Sequence, residues 1–181
     1  MAETALGFPA WAQMSPARRA HVERVVALLE QWADRMSTTD TERHRWLRAA
    51  YLHDALKDAP HEELASLIGT TDLAPKLWHG PAAAARALAQ GETDRGVLDA
   101  VRYHSIGWVG WDDAGRMLYL ADYLEPGRRH HDADRAALIE RVPEAPGDAL
   151  RAVVAARMGW ALTSHWSVAP ETVELWNALA A

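Results

Sequence analysis

Apolar residues Val22, Val25, Val26, Leu29, Trp32 and Met36 recur at steps of three and four, the spacing that puts them on one face of an α-helix. Ser15-Pro16 in front supplies an N-cap and a proline suited to the first helical position, so a helix is predicted from about residue 16 to 36. A second begins near Asp40 and carries Trp46, Leu47, Ala50 and Leu56 until Pro60 stops it. Shorter helices are predicted at about 61–68, closed by Gly69, and at about 74–90, interrupted by Gly80-Pro81 and ended by Gly91. Another is expected at about 93–104. After the loop SIGWVGWDD, Met117, Leu118, Leu120, Ala121 and Leu124 mark a buried helix that the turn EPG ends. Helices at about 134–142, 147–165 and 170–180 complete the chain. No strand-like alternation of useful length breaks the pattern, and no repeat, low-complexity tract or linker divides it. The expectation is one all-α domain over residues 1–181.

Composition narrows the chemistry. A chain of 181 residues can bury about 70% of the surface it would expose unfolded, so a real core needs no staples. Cysteine is absent, which excludes disulfides, thiolate nucleophiles and Cys-ligated metals; any metal must take His, Asp or Glu. A formal net charge of -6 argues against nucleic-acid binding, because counterion release needs a broad basic surface. The first twenty residues lack a basic start followed by an apolar run, and no segment approaches the roughly 18 apolar residues of a membrane span. A soluble cytoplasmic protein without membrane association is expected. Lys57 and Lys76 are the two lysines, so Lys57 stands out beside the pair His53-Asp54.

The histidines divide into two groups. His44, His61, His130, His131 and His165 lie among charged or loop residues, where a solvated imidazole is the default. His21 sits beside the apolar stripe of the first helix, while His53, His79 and His104 each fall near a helix end with apolar neighbours. Asp122 lies within MLYLADYLEPG, where an unpaired carboxylate would be costly to bury. Adjacent residues on a helix point about 100° apart, so His53 and Asp54 of YLHDALKD can lean on one ion placed over the groove between them. Carboxylate oxygens with imidazole nitrogens suit Mn, Fe, Co, Ni or Zn. Six such groups come from five predicted helices, a convergence hard to obtain by chance.

In their order, ARRAHVERV, AAYLHDALKDAP, LWHGPAAA, VLDAVRYHSIG and MLYLADYLEPGRR resemble the HD superfamily of metal-dependent phosphohydrolases. More narrowly, the chain is similar to the bacterial YqeK-type symmetrical diadenosine tetraphosphate hydrolases, most strongly over about residues 15–130. The resemblance implies a single HD-domain helical bundle in which His21, His53, Asp54 and Asp122 bind a metal. His79 and His104 match positions that either hold a second ion, with Asp54 bridging, or contact substrate phosphates. The implied cofactor is a divalent transition metal, iron first among those above, as one or two ions.

The implied reaction is hydrolysis of dinucleoside polyphosphates, cutting diadenosine tetraphosphate into two ADP. Asp54 and Lys57 are the implied catalytic residues, the first positioning the nucleophile and the second stabilising charge on phosphoryl oxygens. Arg18 and Arg24, one turn either side of His21, join Lys57, Ser105 and Arg128 as implied phosphate contacts. Trp108 and Trp111 of GWVGW are candidates for base stacking, although packing is the commoner fate of a tryptophan. Competing readings are an HD phosphatase for nucleoside monophosphates, a non-catalytic nucleotide-binding sensor, and a structural helical module. A sensor would normally lack ligands, and none of the six is missing; the structural module predicts no bound transition metal. A small-molecule nucleotide is the expected partner, and the oligomeric state is open, a homodimer included.

Overall fold

Helix α1 (Pro16–Arg35) starts where the pattern places it: the Ser15 side chain accepts a hydrogen bond from the Arg18 backbone N–H, and Pro16 opens the first turn. In this computed structural model, which describes residues 6–127 and 133–180, the regular structure of the described residues is helical, without a strand. The all-α expectation therefore holds. After α1 come α2 (Asp40–His53), α3 (His61–Ile68), α4 (His79–Ala89), α5 (Arg95–Tyr103), α6 (Asp113–Leu124), α7 (Ala133–Arg141), α8 (Pro146–Thr163) and α9 (Pro170–Ala180). None of the described helices is long and apolar enough to cross a membrane.

Two helices form the centre. Helix α2 packs against α1, α4, α5 and α6, and α6 packs against α1, α2, α5, α7 and α8. Met117, Leu118, Tyr119, Leu120 and Leu124 of α6 are each at most 2% exposed. Burying each such side chain stabilises the fold by about 1.5–3 kcal/mol, so Asp122 rides on a helix with little freedom to move.

Two boundaries differ from expectation. The second helix was expected to continue to Pro60, but it ends at His53, and Asp54 caps it at φ −109° and ψ 15°. Ala55, Leu56 and Ala59 are buried and keep the apolar spacing, yet their backbone runs in tight turns, with the Lys57 N–H donating to Asp54 O at 2.9 Å. The physical reason is a distant partner. Gln13 donates to Ala55 O at 2.7 Å and accepts from the Asp58 N–H at 3.2 Å, satisfying groups that a continuing helix would have used. His53 and Asp54 thus sit at a helix end rather than within a helix. The fourth element was expected over about 74–90 with a break at Gly80-Pro81, but the break precedes His79. Pro75–Leu77 forms a 3-10 turn, and Pro81 lies in the first turn of α4, where its missing N–H costs nothing.

Candidate metal centre

His21 projects from the second turn of α1, His53 ends α2, Asp54 follows it, His79 opens α4, His104 follows α5, and Asp122 lies in the last turn of α6. The bundle brings all six into one buried cluster, each at most 6% exposed. Asp54 stands at its centre. Its Oδ2 lies 3.6 Å from His53 Nε2 and 3.9 Å from His21 Nε2, while its Oδ1 lies 3.2 Å from His79 Nε2 and 3.5 Å from His104 Nε2. Asp122 Oδ1 is 3.1 Å from His21 Nε2. Two groups with metal-ligand spacing result, His21–His53–Asp54 and Asp54–His79–His104, and they share Asp54.

The donor atoms fit a divalent ion. His53 Nδ1 lies 2.7 Å from Ala50 O, and His104 Nδ1 lies 2.7 Å from Val101 O. A proton on each Nδ1 leaves each Nε2 with a lone pair aimed inward, the arrangement usual for ligating imidazoles. His53 Nε2 is buried without a hydrogen-bond partner, an orphan that a cation would satisfy. Donors held about 2.1 Å from one ion lie about 3.0–3.4 Å apart, and the spacings around Asp54, 3.2 to 3.9 Å, need contract by only a few tenths of an ångström to reach that. Burial, foremost, pushes the pKa of His53 down to about 4, and it also lowers that of His104, so at neutral pH both imidazoles are uncharged and able to ligate. For Asp54 burial alone would raise the pKa, but His53, His104 and His79 outweigh it and hold the carboxyl well below the usual range. For His21 burial would lower the pKa, yet hydrogen bonds with Asp122 and Glu125 prevail and raise it.

Cations and hydroxyls ring this cluster. Arg18 Nη1 donates to Asp54 Oδ2 at 2.8 Å, and Lys57 Nζ lies 3.1 Å from His79 Nε2. Ser105 Oγ is 3.1 Å from His104 Nε2 and 3.3 Å from His79 Nε2. These groups face a cleft of about 690 Å³, within the range of small-molecule sites. Arg24, expected to reach a phosphate, is directed elsewhere: its Nε donates to Glu125 Oε2 at 2.6 Å, and its side chain lines a separate hollow. Arg128, His130 and His131 lie outside the described residues. Trp111 is buried, donating to Asp99 O at 3.1 Å, and Trp108 stacks on Tyr103 at 5.0 Å, so both indoles serve packing.

Glu125 was missed in the sequence, although it stands three residues after Asp122 and one before the proline that ends α6. It is 2% exposed and accepts from His21 Nδ1 at 3.1 Å, Arg24 Nε and the Gly127 N–H at 2.7 Å. Burial would raise its pKa, but these hydrogen bonds bring it from 4.5 down to about 2. Such a depression corresponds to about 3 kcal/mol of folding stability. Because the folded value lies below the unfolded one, the contribution is full above about pH 4.5 and fades as the pH falls toward 2. Glu125→Gln is therefore expected to unfold at clearly lower urea concentration than wild type near pH 6, with the gap shrinking near pH 3. A gap independent of pH would mean that the Glu125 charge contributes nothing to folding.

Helix α8 and the segment after it also supply residues that no local pattern signalled. Arg157 of α8 donates to Ser105 O at 3.0 Å, lies over the Tyr119 ring at 4.6 Å and approaches Asp122 Oδ2 at 3.7 Å. Trp160 and Trp166 line the same cleft.

Known proteins resemble this chain in sequence and, in one case, in fold. The HD domain family model matches residues 18–127. A Bacillus subtilis (strain 168) protein named bis(5'-nucleosyl)-tetraphosphatase, symmetrical, is 36% identical over 94 residues, covering 48% of this chain and 50% of that protein. The chain thus spans about half the length of this curated relative. A protein of the same name from Halalkalibacterium halodurans is 23% identical over 168 residues, covering 87% of each chain. The crystal structure of a predicted HD superfamily hydrolase involved in NAD metabolism from Clostridium acetobutylicum superposes with a TM-score of 0.79 at 24% identity, covering 92% of this chain and 90% of that one. The family match runs from Arg18, three residues before His21, to Gly127, just past Asp122 and Glu125, and so encloses the whole buried cluster: the chain belongs to the HD domain family.

Proposed function

We propose that the chain is a metal-dependent hydrolase of dinucleoside polyphosphates that cuts diadenosine tetraphosphate into two ADP. The observation that carries this reading is the pair of His/Asp groups sharing Asp54, set in a cleft edged by Arg18, Lys57 and Arg157. The name of the Bacillus subtilis and Halalkalibacterium relatives supports the symmetrical cut. HD domains depend on divalent metal, and we assign iron to this one, with His21, His53, Asp54 and Asp122 holding one ion and Asp54, His79 and His104 a second. The whole chain acts as one catalytic domain, since α8 and α9 contribute to the cleft.

A divalent ion, when bound, lowers the pKa of a water toward neutrality and offsets charge on phosphoryl oxygens. The chain's own residues do the rest. The carbonyls of Ala50 and Val101 orient His53 and His104, and Glu125 orients His21. Arg18 holds the Asp54 carboxylate in place through its 2.8 Å hydrogen bond, and Asp54 positions the attacking oxygen. The Lys57 ammonium and the Arg157 guanidinium reach phosphoryl oxygens as charge develops, and Ser105 Oγ donates to a neighbouring one. The oxygen attacks the phosphorus beside the central bridging oxygen; that P–O bond breaks, and two ADP leave.

Chromatography of the products formed from diadenosine tetraphosphate tests the reading. ADP alone is expected, absent after chelation and restored by a transition metal. AMP together with ATP, or release of phosphate from nucleoside monophosphates with this substrate left untouched, would overturn it.

A further inference from the structure

Trp160 and Trp166 are 57% and 46% exposed, a costly placement for indoles. They stand edge to face with centroids 4.4 Å apart, and Lys76 Nζ lies 3.1 Å from the centroid of Trp166. Both rings and Lys76 line the cleft that holds the metal centre. The two tryptophans lie beyond residues 18–127, so the family match says nothing about them.

Two connections tie this aromatic pair to the cluster. Lys76 O lies 3.2 Å from His79 Nδ1, so a single residue touches a candidate ligand with its backbone and Trp166 with its ammonium. Arg157 approaches Asp122 at 3.7 Å, and Trp160 follows it by three positions on α8, which makes the two side chains neighbours on one helix face. Moving outward along the cleft, a ligand would meet the acid and histidine cluster, then a guanidinium, then an indole. A nucleotide offers the matching order: phosphates for the cluster and the guanidinium, then, beyond the sugar, a flat aromatic base for the indole.

We infer that Trp160 is the platform on which a nucleobase of the substrate stacks, with Trp166 bracing it and Lys76 holding Trp166. The inference rests on the nucleotide reading above and adds the residues that recognise the nucleoside. Every base has an aromatic face, so such a platform favours nucleotides over bare polyphosphates without requiring one particular base.

Calorimetric titration of the protein with ADP and, separately, with inorganic pyrophosphate tests this. Trp160→Ala is expected to weaken ADP binding at least about 5-fold while pyrophosphate binding stays within 2-fold, and Trp160→Phe is expected to restore most of the loss. Equal ADP affinity in wild type and Trp160→Ala would overturn the inference, as would parallel loss of both ligands or no ADP binding by the wild type. A change of oligomeric state in Trp160→Ala, seen by light scattering, would also overturn it, since the indole would then serve contact between copies. Binding is read without turnover. If diadenosine tetraphosphate yields no ADP while Trp160→Ala still loses ADP selectively, the proposed reaction falls and the platform stands.

Discussion

Asp54→Asn is expected to lose metal from both groups of ligands and to reduce hydrolysis by more than about 100-fold. The two clusters share this one carboxylate, with Oδ1 turned to His79 and His104 and Oδ2 to His21 and His53. Asparagine keeps the volume but removes the negative charge and places an amide where one oxygen faced imidazole lone pairs. Changes to residues that merely orient a ligand already cost about 10–100-fold in metal affinity or activity, so loss of a shared ligand should exceed that range. Comparison variants sharpen the result. His53→Ala should remove one ion and His79→Ala the other, whereas Asp54→Asn should remove both; elemental analysis of the purified proteins reads the count directly. Full metal content and activity in Asp54→Asn would refute the shared-ligand arrangement. Thermal unfolding, followed alongside, separates loss of metal from loss of fold.

Gly80→Val is expected to lower activity about 100-fold through a residue with no chemistry of its own. A Cβ at position 80 would lie 3.0 Å from the carbonyl oxygens of Val101 and Arg102 and 3.2 Å from His104 Cε1. Val101 O is the acceptor that orients His104, and Gly80 adjoins His79, so this contact between α4 and α5 sets the 3.1 Å approach of the two Nε2 atoms. Valine adds branches that cannot fit without pushing the helices apart, and a displacement near 1 Å at a reacting centre can cost about 100-fold in rate. Overpacking of this kind also costs about 1–3 kcal/mol of stability. Gly80→Ala should fall between the two, since a shift of a few tenths of an ångström accommodates one methyl. Wild-type turnover in Gly80→Val, measured well below its unfolding temperature, would show that the spacing of His79 and His104 does not matter.

The element pattern was legible because helix formation is local. Three- and four-residue spacing of apolar groups, Ser15-Pro16 before α1 and the EPG turn after α6 act within a few residues of where they are read. Six buried groups were legible for a related reason: imidazole or carboxylate next to apolar neighbours is conspicuous wherever it occurs. Pairing across long separations was not. The early stop of α2 depends on Gln13, which meets Ala55 and Asp58 only once the chain has folded back. Arg24 and Glu125 stand 101 positions apart, and their ion pair turns the arginine away from the cleft while fixing His21 through Glu125. Neither residue carries a local sign of that choice, because a charged side chain on a helix surface has the same spacing whether it meets water, phosphate or a distant carboxylate. Arg157 and Trp160 likewise join the cleft only because α8 packs on α6. The sequence by itself determined which segments become helices and which side chains are worth burying; which of those side chains face one another, and therefore which stand at metal-ligand spacing and which hold a neighbour in place, was decided by helix packing, whose contacts are set by shape and burial across the whole chain.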